Sequence, residues 1–168
     1  MKRQILPFIV TAMLVAVTSC QSIVENFPVT GLPTQGDAHA NRGSKAFQKE
    51  LFDIAEHELV QATQLKTNQW APETVYTLLG NTYLRLAEYD KAKRAHIAAI
   101  AANPRYHSAW VHLGIAHRHL KEYKEAENCY FKALEIEPND LATYISLGTL
   151  NLHWGRKSEA NKWFNKAK

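Results

Sequence analysis

Histidine and cysteine carry most of the chemistry open to this chain of 168 residues. His112, His117 and His119 crowd one helical window, and imidazoles can hold zinc when they converge at about 2.0–2.1 Å on one ion. At about 100° per residue, His112 and His119 return to one face two turns apart, while His117 points about 140° away from His112. No Cys or carboxylate completes a ligand set, so the three are read as packing and surface residues, with no metal. The chain has no G-x-S-x-G, no Gly-rich phosphate loop and no C-x-x-C, and so lacks the common signatures of nucleophilic, phosphoryl-transfer and dithiol chemistry. The expectation is a protein without catalytic residues or a cofactor.

The elements that position these side chains repeat. Gly80, Gly114 and Gly148 lie 34 residues apart, each preceded by a Leu (Leu79, Leu113, Leu147) and by an aromatic three residues earlier (Tyr76, Trp110, Tyr144). Ala92, Ala126 and Ala160 follow at one fixed phase, and Ala99, Ala133 and Ala167 at another, while Pro104 and Pro138 close two of the three units. Each period accommodates two helices of about fourteen residues, with small residues where the pair approaches closely and Pro where the next pair must begin. Asp140 and Ser108 are candidate N-caps.

This pattern resembles the tetratricopeptide repeat, and the middle unit matches best, through Trp110, Leu113, Gly114, Ala126, Tyr130, Ala133 and Pro138. His96, His117 and Asn151 depart from the family's aromatic preferences. The resemblance implies an all-α solenoid of about three helix-hairpin repeats, at 73–106, 107–140 and an incomplete 141–168, preceded by an N-terminal capping helix. That helix is expected at 44–72 as a degenerate or half repeat, because Arg42 and Gly43 fall where a first helix should pack. Trp163 and Phe164 on the last helix suggest an apolar end through which two copies would dimerise.

In this family the first helices of the pairs line a concave groove that holds a protein segment. The groove residues implied by the resemblance are Asn81 and Arg85 in the first unit, His112, Ile115, Arg118 and His119 in the second, and Ile145, Thr149 and His153 in the third. Arg85, His119 and His153 share one phase and should form a cationic ladder that responds to pH. The paired Lys and Asn that clamp a terminal carboxylate in chaperone-tail binders are not reproduced: Thr77 and Ile115 replace two of them. Leu78, Val111, Ile115, Ile145 and Leu152 suggest an apolar floor.

The N-terminus reads as an export signal. Lys2 and Arg3 precede a thirteen-residue run from Ile5 to Val17 that is apolar but for Pro7 and Thr11, shorter than the roughly 20 residues a membrane span needs. The run ends in Val17-Thr18-Ser19-Cys20, which resembles a bacterial lipobox, so 1–19 is expected to be removed and Cys20 lipidated. Multiple acyl chains give stable membrane attachment, and Gln21 after the Cys implies the outer membrane. Cys129 is then the only thiol left, and no disulfide forms. Residues 20–43, rich in Pro and Gly, are expected to form a tether.

The formal charge of +4 falls to +2 without Lys2 and Arg3, leaving 18 basic against 16 acidic residues. The basic stretches lie on helices without an aromatic array, which argues against nucleic acid as a partner. Together these readings point to a membrane-anchored adaptor for a protein partner, similar to pilotin-like lipoproteins that assist secretin or pilus assembly. A scaffold for cell-wall enzymes and a periplasmic module without lipid are the alternatives.

Overall fold

Alternation of small and bulky positions is realised as eight helices, with no strand, across the residues that the computed structural model describes, 32–168. The expected signal segment, Cys20 and the first part of the expected tether lie outside the described residues. The helices are α1 (Gln35–Gln48), α2 (Phe52–Gln64), α3 (Pro72–Arg85), α4 (Tyr89–Ala102), α5 (His107–His119), α6 (Tyr123–Ile136), α7 (Leu141–His153) and α8 (Lys157–Lys166). They pack as four successive hairpins, and the second helix of each hairpin also packs on the first helix of the next. The all-α solenoid is therefore as expected.

Close approach within each hairpin follows from the repeating Gly. A Cβ on Gly80 would lie 2.5 Å from the His96 ring, and one on Gly114 2.6 Å from the Tyr130 ring. Gly148 meets Phe164 in the same way. Ala92, Ala126 and Ala160 are fully buried at the matching phase of the second helices. The two Pro residues work through their carbonyls: Trp110 Nε1 donates to Pro104 at 2.9 Å and the Tyr144 hydroxyl to Pro138 at 2.6 Å. In these two repeats the aromatic is thus tied to the linker before it.

All four hairpins turn alike. Glu50, Ala87, Lys121 and Gly155 have φ of 59°, 60°, 61° and 81°, and the next residue's N–H reaches back to Ala46, Tyr83, His117 and Asn151 respectively. This is the Schellman closure of a helix end, which glycine adopts most easily. Only the last hairpin uses Gly there.

The N-terminal piece is larger than one helix. Residues 35–43, expected as tether, belong to α1, and the helix expected from Ser44 onward is broken at Glu50. Gly43 is a contact: a Cβ there would lie 2.6 Å from Leu59 Cγ, as the repeat glycines meet their own partners. Gly36 fits against the Lys66 carbonyl, where a Cβ would come to 2.5 Å. Gly43 precedes Gly80 by 37 residues rather than 34, so the longer loop before α3 hides this hairpin from the period.

What starts α1 is a capping box. Thr34 accepts from the Asp37 N–H at 3.1 Å, and Asp37 accepts from the Thr34 N–H at 2.7 Å. Asp37 also accepts from Gln69 N at 2.8 Å and Asn68 N at 3.0 Å, which ties α1 to the loop before α3. Burial opposes its charge, but the backbone N–H groups of Thr34, Gln69 and Asn68 outweigh burial and hold the carboxyl well below the usual carboxylate range. Asp37→Ala strands those donors, so the melting temperature should fall by roughly 5–10 °C. Hydrogen exchange should locate the loss in α1 and the 65–71 loop, with α5 and α6 still protected. Uniform loss across the chain would refute the local account.

At the other end, Asp140 caps α7 by accepting from Thr143 N at 2.9 Å. Ser108 is no cap. It lies inside α5, whose N-cap Tyr106 makes no side-chain bond, and its carbonyl accepts instead from His112.

Candidate functional site

Because each second helix packs behind the next first helix, α1, α3, α5 and α7 come side by side on one face. That face carries the expected groove positions, and neighbouring side chains sort them into three groups.

Some are taken up by packing. His112 turns inward: its Nδ1 donates to the Ser108 carbonyl at 2.7 Å, and its ring stacks on His96 with centroids 5.6 Å apart. Burial lowers its pKa, as does nearby His107, while the Ser108 bond works the other way. Ile115 is half-buried against the second-repeat core, and Val111 and Thr77 are buried. Asn81 is half-buried, with its Oδ1 lacking a hydrogen-bond partner.

The cationic ladder is divided. Arg85 points to the first hairpin, where it pairs with Glu50 at 3.3 Å and lies over the Phe52 ring at 4.5 Å. His119 stacks on Tyr89 with centroids 4.4 Å apart. Arg118 joins His119 to His153, with its guanidinium 3.4 Å and 3.3 Å from their Nε2 atoms. Burial lowers the His119 pKa, assisted by Arg118 and His153. The three residues form one cluster around the Arg118 guanidinium.

The third group is exposed. Ile145 is 50% exposed, Leu141 52% and Leu152 48%. Thr149 donates to the Ile145 carbonyl at 2.9 Å. The apolar floor is therefore concentrated on α7. Trp163 and Phe164, expected to form an apolar end, are instead half-buried: Phe164 packs on Gly148, and Trp163 stacks on Tyr144 at 6.0 Å with Lys166 over it at 4.5 Å. Leu84, Leu141 and Tyr89 were not anticipated here. Leu84 shares the phase of Arg118 and Leu152, 34 residues apart, so the period itself contained that signal.

The remaining reactive residues are occupied. His117 Nδ1 lies 2.5 Å from Glu122, which also accepts from Lys93 of the preceding hairpin at 3.0 Å. His117 and then Lys93 lower the Glu122 pKa. Cys129 is buried, and its thiol is pushed up to about 12 by burial and by Glu125, which leaves little thiolate for reaction. Among the described residues no group of three or more His, Cys, Asp or Glu is placed to hold a metal ion. No described helix is long and apolar enough to cross a membrane.

Residues 73–106 and 107–140 each match a family model described as tetratricopeptide repeat. No curated protein matches the sequence. Among solved structures, the crystal structure of MamA is similar, with a TM-score of 0.71 and 25% identity over 88% of this chain and 81% of that one. The first tetratricopeptide domain of Spaghetti (RPAP3), bound to the HSP90 peptide SRMEEVD, gives 0.66 and 21% over 76% of this chain and 98% of that one. The tetratricopeptide domain of Arabidopsis OM64 gives 0.64 and 21% over 70% and 95%. The last two likenesses show the fold alone. Residues 73–140 of this chain thus match the tetratricopeptide-repeat family and lie within an all-α helix-hairpin solenoid.

Proposed function

We propose that the protein is a non-enzymatic adaptor that holds a segment of another protein across α3, α5 and α7. The observation that carries this reading is the set of half-exposed aliphatic side chains on α7, Leu141, Ile145 and Leu152, beside the Arg118 cluster. An apolar strip next to a fixed cation suits a peptide segment better than bulk water. A solved domain of similar fold holds a peptide, which supports the mode of use. The ligand differs, because Thr77 is buried where a clamp would place Lys and Ile115 stands where it would place Asn.

The proposal extends to location. Cys20 receives lipid after removal of 1–19 and holds the repeats at the periplasmic face of the outer membrane, where the partner is a secretin or another pilus component. The test is a crosslinked pull-down from envelope fractions with the native chain, Cys20→Ala and Ile145→Asp. The expected result is membrane fractionation and secretin or pilus-component capture by the native chain, release to the soluble fraction for Cys20→Ala, and lost capture for Ile145→Asp. Unchanged fractionation of Cys20→Ala would remove the anchor from the account. Unchanged capture by Ile145→Asp would place binding on another surface, and recovery of cell-wall hydrolases or synthases would replace the secretin with an enzyme scaffold.

A further inference from the structure

The concave face carries one phase whose occupants form a pattern: Leu84 on α3, Arg118 on α5 and Leu152 on α7, each 34 residues from the next. Leu84 is half-buried and Leu152 48% exposed. Arg118 differs from Arg42, Arg85 and Arg156, which pair with Glu58, Glu50 and Glu127. Its contacts on this face are the ring nitrogens of His119 and His153, and no carboxylate of the described residues lies within ion-pair distance of it. Glu122, the nearest acid in sequence, is already held by His117 and Lys93. A half-buried guanidinium positioned between two imidazole rings and paired with no carboxylate is preorganised for an incoming anion.

We propose that the partner segment is extended and acidic, with one Asp or Glu side chain on Arg118 and aliphatic side chains on Leu84 and Leu152. This rests on the adaptor reading and specifies the partner's chemistry. Packed helices lie about 10 Å apart, and an extended chain of polyproline II type rises about 3.1 Å per residue with three residues per turn, which keeps every third side chain on one face. The aliphatic residues should therefore stand roughly three positions to either side of the acid.

Fluorescence anisotropy on the full chain tests this with end-blocked peptides on a Gly/Ser background, carrying a central Glu and a Leu three positions to each side. The Glu peptide should bind about tenfold or more tightly than its Gln counterpart, with affinity falling as salt rises. Replacing both Leu by Ser should weaken binding by a similar factor. Arg118→Gln should remove the preference for Glu, and Arg118→Lys should retain part of it, with helical circular dichroism unchanged in both. Equal binding of Glu and Gln peptides, or a preference that survives Arg118→Gln, overturns the proposal, as does absence of binding by the Glu peptide. If Ile145→Asp still abolishes envelope capture in those cases, the adaptor reading stands while the acidic specificity fails.

Discussion

Tyr130→Ala lowers the unfolding free energy by about 3–5 kcal/mol, the usual cost of removing a fully buried aromatic side chain. Tyr130 has no exposed surface and fills the approach of α5 to α6 over Gly114, whose missing Cβ is what admits the ring. An Ala leaves a void that the hairpin cannot close, because Gly114 offers nothing to move into it. In a solenoid each hairpin depends mainly on its neighbours, so the damage should centre on α5 and α6 and reach Arg118, Ile115 and the face they form. Urea unfolding followed by helical circular dichroism measures the loss. A change under about 1 kcal/mol would mean that the ring is not the centre of this hairpin.

His96→Phe should act in the opposite direction. His96 occupies the phase of Tyr130 and Phe164 against its own glycine, Gly80. It is fully buried, and neither ring nitrogen has a hydrogen-bond partner. Burial, followed by the neighbouring His112, lowers its pKa to about 3. The unfolded chain binds a proton there near pH 6.5, while the folded chain excludes it until about pH 3. Stability from this residue is therefore complete above about pH 6.5 and is lost as the pH falls toward 3, by about 2 kcal/mol between pH 7 and 5. Phe carries no such proton and leaves no unpaired nitrogen. It should raise stability at pH 7 by about 1–2 kcal/mol and flatten the decline toward pH 5, which the titration of His112 continues in part. Equal pH slopes for the two proteins would contradict this role for His96.

The period of the chain revealed three hairpins because their close contacts use residue types that leave a mark: Gly80, Gly114 and Gly148 against a ring, and Ala where the helices touch. The first hairpin makes the same contact between Gly43 and Leu59, but Leu59 is not aromatic, and three extra residues put Gly43 out of phase. Gly36 and Gly43 then read as linker residues, although both are close-packed. Their meaning depends on Lys66 and Leu59, which lie far along the chain. The groove was legible in the same limited way. Helical phase placed Arg85, His119 and His153 in a row, yet Glu50 and Phe52 draw Arg85 aside, while Arg118 ties the other two together. Such choices are made by neighbours in other hairpins, and sequence phase does not record them.

The claim that the first helices form the working surface is tested most directly by site-specific photo-crosslinking in intact envelopes. A benzophenone amino acid would replace Ile145 on α7 or, as a control, Ile97 on α4, since both residues are 50% exposed but lie on first and second helices respectively. A discrete crosslinked protein from position 145 and none from position 97 is the expected result. The same protein crosslinked from position 97 and not from position 145 would contradict the account and move the partner to the opposite face.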